Sequence, residues 1–222
     1  MLKKWLVTTK NLFFPAVCLA CGKKIKQDYL CSSCKKKIKI LKAPTCYTQL
    51  KINHNNNKEI LTVLSSCLYK EPLKNLIHSF KYKRNPYLAE FFSRFMLKQL
   101  KVIKFNPQNY DFVVPVPLHR YKIKARGYNQ AELLARPLAK YFQLPLKDDI
   151  IISKYIKNSQ TKLSSRKRKE NVQGKFIVRK NLKNQNIILV DDVLTTGATI
   201  STCWQALSEK GANKIYSTTL AK

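Results

Sequence analysis

An acidic pair followed by a turn of small and hydroxyl-bearing residues is the part of the sequence best suited to chemistry. The apolar run 187–190 ends at Asp191 and Asp192, and the turn 195–199 follows two residues later. Ligands of an open α/β sheet bind beyond the carboxyl ends of its strands, where two carboxylates could accept hydrogen bonds from the vicinal hydroxyls of a sugar. The turn precedes a predicted helix, whose first amides and dipole attract phosphate. The candidate binding residues are Asp191, Asp192, Thr195, Thr196, Gly197, Ala198 and Thr199.

Two interpretations of this segment are open. Acids for the ribose and amides for the 5′-phosphate together specify a ribose 5-phosphate, and Asp191 and Asp192 would then also be the catalytic pair. The alternative is an ordinary strand–helix turn, because Asp and Thr are common N-caps. The complete run in this order favours the sugar phosphate.

Four of the seven cysteines form two closely spaced pairs, Cys18-x2-Cys21 and Cys31-x2-Cys34. Two such pairs bring four thiolates together tetrahedrally, which suits a structural Zn²⁺ ion. A redox role for either pair is the alternative, and the double pair favours zinc. The other cysteines stand alone and are expected to be small buried hydrophobes. They are Cys46, Cys67 and Cys203.

The net charge is the strongest compositional signal. Lys and Arg number 43 against 12 Asp and Glu, which gives a formal net charge of +31. A positive potential of this size attracts polyanions, chiefly nucleic acid. Most of the cations are lysines, which are point charges without bidentate geometry, so we expect DNA binding without sequence preference. A generally lysine-rich, solvated surface is the alternative.

Hydropathy and cysteine usage bound the location. The sequence contains no apolar run of about 18 residues, so no membrane insertion is expected. Seven cysteines in a chain expected to be cytosolic argue against a disulfide framework. We expect a cytoplasmic protein.

The periodicity of apolar residues predicts alternating strands and helices, and hence a mainly parallel sheet with helices on both faces. The polar stretch 51–58 is predicted to be a loop or linker. We expect a zinc module at 1–48, a linker and hood-like segment at 49–85 and the main α/β domain at 86–222. Strands are predicted at 60–64, 112–117, 175–178, 186–190 and 215–220, and helices at 72–81, 88–100, 129–142 and 199–210.

Residues 190–199 resemble the motif with which type I phosphoribosyltransferases bind phosphoribosyl pyrophosphate (PRPP). The whole chain resembles the ComF family of late competence proteins, which join a cysteine-rich module to such a domain. The resemblance covers nearly the full length in the family's order. It rests on stretches 18–34, 76–82, 114–119, 126–130, 160–171 and 189–199.

This resemblance implies several properties. Family members act in the cytoplasm in natural transformation, where they handle incoming single-stranded DNA beside a helicase-like competence ATPase. PRPP would bind with Mg²⁺, Arg120 would meet its diphosphate, and Arg126 would assist. The stretch 160–171 falls where a flexible lid closes over PRPP, although a solvated loop or a DNA-binding loop would have the same composition. The lid residues implied are Gln160, Lys162, Arg166 and Arg168.

Two departures from the family pattern matter. Members often carry a second downstream cysteine pair, whereas Cys46 stands alone here, so we expect one zinc ion. Purine-salvage relatives place an aspartate base where this chain has Thr195. The sequence therefore shows the PRPP half of an active site and not the acceptor half.

Three functions are compatible with these patterns. The favoured one is a protein of DNA uptake that holds single-stranded DNA, with Tyr82, Tyr87 and Tyr128 as candidate stacking residues, and retains a PRPP site. The second is a transferase that moves phosphoribose from PRPP to a nitrogen acceptor. The third is a scaffold whose zinc module docks a partner protein.

Overall fold

The computed structural model describes residues 17–26, 29–54, 57–154 and 176–222. Within these ranges the strands are β1 (Tyr47–His54), β2 (Asn57–Cys67), β3 (Phe112–Pro115), β4 (Ile151–Ser153), β5 (Phe176–Val178), β6 (Asn186–Val193) and β7 (Lys214–Ala221). The helices are α1 (Ser32–Lys36), α2 (Leu73–Tyr82), α3 (Leu88–Val102), α4 (Arg120–Arg126), α5 (Gln130–Phe142) and α6 (Ala198–Glu209), with a short 3₁₀ helix at Pro107–Asn109. Across these ranges, no helix has the length and apolar composition needed to cross a bilayer.

Strand β6 lies inside the main sheet because its apolar run is buried on both faces. The strand order is β1-β2-β7-β6-β3, and only β1 is antiparallel to its neighbour among these five. Ile188 and Val190 pack with α2, α3 and α5, whereas Ile187 and Leu189 pack with α6 and the small β4–β5 sheet. Each such buried side chain contributes roughly 1.5–3 kcal/mol. The predicted parallel sheet with helices on both faces is confirmed.

The loop predicted over residues 51–58 is wrong. β1 and β2 form an antiparallel hairpin in which Tyr47 pairs with Leu64 and His54 pairs with Asn57. Ile52 and Leu61 point into the core on the α6 side of the sheet. The strand was missed because most positions of β1 are polar, so its sequence shows no clear alternation of apolar residues. Hydrogen bonding to β2 stabilises the extended conformation instead.

The cysteine module packs directly on the main domain. Cys18 and Cys34 belong to the same buried cluster as the apolar face of α3. Tyr29 meets Phe91 edge to face at 5.8 Å between ring centroids, and its hydroxyl donates to the carbonyl of Tyr87 at 3.2 Å. The main domain thus covers apolar residues of the module, which is too short to form a core of its own. The division into segments 1–48, 49–85 and 86–222 remains a prediction.

Candidate functional site

The predicted sugar-binding acids lie at the carboxyl end of β6. Asp191 pairs in register with Thr219 of β7, and Asp192 is buried on the opposite side of the strand. The Asp191 Oδ1 atom accepts a hydrogen bond from the backbone amide of Asp192 at 2.8 Å. The carboxylates therefore sit at the sheet edge where α/β proteins bind ligands.

Asp192 is held by a lysine of stretch 76–82 to which the sequence had assigned no role. Lys81, in the last turn of α2, places its Nζ atom 3.0 Å from Oδ1 and 2.8 Å from Oδ2 of Asp192. The two side chains are only 20% and 12% exposed. Lys81 continues the buried stripe of α2 that contains Leu73, Ile77 and Phe80. A charged residue on an apolar stripe was the available signal, because lysine is rarely buried without a partner.

The predicted phosphate turn connects β6 to α6. Gly197 is the N-cap of α6 and has a φ of 78°, which favours glycine. A Cβ atom there would lie 2.5 Å from Cδ1 of Leu50 in β1, so the hairpin packs against the turn. The amides of the first helical turn have no intrahelical acceptor and can serve an anion. The exposed residues of the turn are Thr195, Thr196, Ala198 and Thr199.

The two predicted diphosphate residues stand at opposite ends of α4. Arg126 donates to Oε1 of Gln130 at 2.9 Å, and its guanidinium lies 5.0 Å from the ring centroid of Tyr82. Arg120 lies over the ring of Tyr121 at 5.6 Å. Arg126 thus contacts Tyr82, the residue after Lys81, whereas Arg120 contacts Tyr121.

Helix α4 follows β3 through a loop that is fixed at both ends. His119 caps α4 by accepting from the amide of Tyr121 at 3.3 Å. Asn129 caps α5 and also donates to the carbonyl of Val116 at 3.0 Å. All seven residues of α4 are at least partly exposed, and four of them are Arg or Lys. Four exposed cations and no acid give this helix a strongly positive potential.

A cavity of about 510 Å³ lies beside Arg120, outside β3. Its lining includes Glu132, Asp148 and, directly after β5, Arg179. Its volume is in the usual range for small-molecule sites. No sequence pattern indicated this cavity, because its walls come from separated segments.

The predicted lid falls in residues 155–175, which lie outside the described residues. This applies to Gln160, Lys162, Arg166 and Arg168. The described flanks meet across the small sheet, where Ser153 pairs with Phe176. The lid assignment remains a prediction.

The three candidate stacking tyrosines differ in exposure. Tyr82 and Tyr87 are 59% and 75% exposed. Tyr128 is half-buried, its hydroxyl donates to the carbonyl of Phe80, and burial raises its pKa. Tyr128 therefore packs in the core, and only the first two present rings to solvent.

The four paired cysteines come together as the spacing predicts. Their Sγ atoms all lie within 4.8 Å of one another, and those of Cys21 and Cys31 are 3.8 Å apart. Tetrahedral zinc with bonds of about 2.3 Å separates its sulfur ligands by about 3.8 Å. The donor set therefore fits a structural zinc ion, which would be held by Cys18, Cys21, Cys31 and Cys34.

The pKa values of two of these thiols, Cys34 and Cys18, are shifted in opposite directions. Burial and the neighbouring thiols raise the pKa of Cys34 to about 12. Burial favours a higher pKa for the Cys18 thiol. Hydrogen bonds from backbone amides to its sulfur outweigh burial and lower this pKa to about 6. A divalent cation would replace the proton on Cys34, because zinc binds thiolates. Cys46 and Cys67 are buried outside this cluster.

Comparison with known proteins agrees with this architecture. Residues 128–222 match the phosphoribosyl transferase domain, and residues 9–51 match the double zinc ribbon domain. Competence protein F of Haemophilus influenzae is 28% identical over 213 residues, which cover 93% of this chain and 90% of that protein. Competence protein ComFC of Bacillus subtilis is 31% identical over 163 residues, which cover 69% of this chain and 61% of that protein. The chain belongs to the ComF family.

Other relatives of this ComF-family chain cover it less completely. DNA utilization protein YhgH of Escherichia coli is 32% identical over 146 residues, which cover 65% of this chain and 64% of that protein. Among solved structures, a purine phosphoribosyltransferase from Pyrococcus horikoshii aligns with 60% of this chain and 71% of its own, at 17% identity and a TM-score of 0.36. The chain combines a type I phosphoribosyltransferase fold with a four-cysteine module.

Proposed function

We propose that this ComF-family protein handles single-stranded DNA during natural transformation and binds PRPP at the edge formed by β6 and α6. The PRPP part rests on one observation. Asp191 and Asp192 end the apolar part of β6, and the exposed turn at the start of α6 begins two residues further on. Acids suit the ribose hydroxyls and first-turn amides suit the 5′-phosphate. The names of the competence and DNA utilization relatives support the role in transformation.

Mg²⁺ would accompany PRPP because a diphosphate binds this hard cation through oxygen. The remaining charge of the diphosphate would be met by Arg120 and Arg126, with the lid residues as further candidates. These roles are those that the family resemblance implies, and the positive charge of the side chains suits them.

The DNA part is supported by α4 and the neighbouring end of α2. The exposed helix α4 carries four cations, of which Arg120 lies beside the exposed ring of Tyr121 and Arg126 beside that of Tyr82. A groove that binds single strands combines backbone-facing cations with aromatic rings on which bases stack. Lysines and arginines without a fixed base partner would bind any sequence. A competence helicase would be the neighbouring partner in the cytoplasm.

The alternative function is transfer of phosphoribose from PRPP to a nitrogen acceptor. One observation favours it: the lining of the cavity beside Arg120 includes Asp148 and Glu132, of which Glu132 is paired with Arg136, and a carboxylate could take the proton of a nitrogen acceptor. Thr195 itself offers no such group. Incubation with PRPP and candidate bases, followed by pyrophosphate assay, tests this alternative, and release no faster than without acceptor contradicts it.

The main proposal is tested by two titrations of the zinc-loaded full chain. Calorimetry with PRPP and Mg²⁺ should give heat, and the absence of heat would rule out the sugar site. Binding of labelled oligo(dT) should weaken linearly in log–log form as salt rises, with a slope of about −0.7 for each phosphate neutralised. A flat slope would rule out the electrostatic DNA surface. Repeating each titration with the other ligand present reports their coupling.

A further inference from the structure

The ion pair between Lys81 and Asp192 joins the sugar edge to a helix outside the matched transferase segment. The transferase match begins at residue 128, whereas Lys81 belongs to α2, which precedes β3 in the chain. The ammonium lies within 3.0 Å of both carboxylate oxygens of Asp192. It therefore holds the plane of the carboxylate and not merely its charge.

Asp192 needs such a partner because it lies beside another carboxylate. Asp191 is its neighbour in β6, and both side chains have limited access to water. Two adjacent carboxylates repel each other, and the repulsion grows as water is excluded. Lys81 compensates this charge and leaves the outer lone pairs of the carboxylate available to hydroxyl donors.

The position of Lys81 is fixed by the core. Leu76, Ile77 and Phe80 of α2 are fully buried, so the helix has little freedom to rotate. The end of α2 is closed by the amide of Lys83, which donates to the carbonyl of Ser79 at 2.9 Å. The Lys81 side chain thus reaches Asp192 from a rigid support, as a precise binding site requires.

We propose that Lys81 is a positioning residue of the ribose site: it orients Asp192 so that its oxygens accept the hydroxyls of PRPP. The inference rests on the proposed PRPP function and adds α2 to the site. Its effect is confined to the ribose part of the ligand, because the diphosphate is met by cations on α4 and the phosphate by the turn before α6.

The test compares three ligands on the zinc-loaded full chain, each with Mg²⁺: PRPP, ribose 5-phosphate and inorganic pyrophosphate. The variants are Lys81→Met, Lys81→Arg and, as a matched control, Lys74→Met. Lys74 is an exposed lysine in the first turn of the same helix, so its replacement removes the same charge away from the site. Zinc content and the thermal unfolding midpoint establish that each variant is folded, and Lys81→Gln replaces Lys81→Met if the latter does not fold.

Loss of a hydrogen-bonded charge pair should weaken PRPP and ribose 5-phosphate binding by about tenfold or more in Lys81→Met. Pyrophosphate binding should change by no more than about threefold, Lys81→Arg should recover part of the affinity, and Lys74→Met should match the wild type. An equal weakening for pyrophosphate would show a general charge effect and overturn the inference. So would equal PRPP affinities in Lys81→Met and Lys74→Met. Absence of PRPP binding by the wild-type protein would instead refute the proposed function itself.

Discussion

At the residue scale, the sugar site consists of two adjacent acids with different surroundings. Asp192 is buried against Lys81, whereas Asp191 is more accessible and accepts the amide of the next residue. The sequence alone predicted that these acids bind ligand, because they follow an apolar strand at the edge where α/β sheets bind ligands. The different surroundings of the two acids were not readable, since Lys81 lies 111 positions away from Asp192.

Replacement of either acid by its amide should weaken PRPP binding. We expect Asp191→Asn and Asp192→Asn each to lower affinity by about tenfold or more, because an amide offers one acceptor oxygen and no charge to the ribose hydroxyls. Calorimetry with PRPP and Mg²⁺ measures the change. Asp111→Asn is the control, because Asp111 accepts the amide of Asn186 at the opposite end of β6. If the control weakens binding as much, the effect is structural.

At the element scale, the β1–β2 hairpin and α4 shape the ligand edge. Leu50 of β1 covers Gly197, so the hairpin limits how the phosphate turn can move. The turn and α6 were predicted from the sequence, and Gly211, with a φ of 90°, follows the C-cap of α6. The packing of Leu50 on the turn was not predicted, because a polar strand has little local signal and acquires its order from pairing.

A methyl group at Gly197 should damage the phosphate turn. We expect Gly197→Ala to lower PRPP affinity, because its Cβ would meet the Leu50 side chain at 2.5 Å and because its φ of 78° disfavours alanine. The double variant Leu50→Ala/Gly197→Ala should recover part of that affinity. Gly211→Ala, at the far end of α6, should lower the unfolding midpoint through its own positive φ and leave PRPP affinity unchanged. No recovery in the double variant would contradict the role of Leu50.

Charge reversal on α4 should weaken DNA binding and lower its salt dependence. We expect Lys122→Glu/Lys124→Glu to reduce the slope of log affinity against log salt by about 0.7 for each phosphate that the variant no longer neutralises. Filter binding or fluorescence anisotropy with oligo(dT) measures the slope. The control is Lys98→Glu/Lys140→Glu, which makes the same charge change at exposed positions of α3 and α5. Equal effects in both pairs would mean that net charge, and not α4, attracts DNA.

At the scale of the whole molecule, the zinc module and the transferase domain share one core. Cys18, Leu30 and Cys34 belong to the cluster that contains the buried residues of α2 and α3. Removal of the metal should therefore affect more than the module.

Zinc removal should destabilise the whole chain. We expect chelation, or Cys21→Ser, to lower the unfolding midpoint in a single transition, because module and domain bury surface against each other. Cys46→Ala and Cys203→Ala should keep one zinc per chain, measured by metal analysis. Separate melting of the module with an unchanged main transition would contradict the shared core.

Zinc affinity should also fall as the pH is lowered. The pKa of Cys34 is raised to about 12, so at neutral pH the metal-free thiol carries a proton that zinc must displace. Proton release on zinc binding, followed by pH indicator, measures this effect. Zinc affinity that is independent of pH would contradict it.

The sequence by itself determined the parts that depend on neighbouring residues: the paired cysteines, the acids before the phosphate turn, the basic charge and the helices with a strong apolar period. These patterns suffice because metal ligation, capping and amphipathic burial act over a few residues. Only the tertiary structure decided which distant groups meet: Lys81 with Asp192, Leu50 with Gly197, and Arg126 with Tyr82. Such meetings depend on the packing of whole elements around one core, which no local pattern encodes.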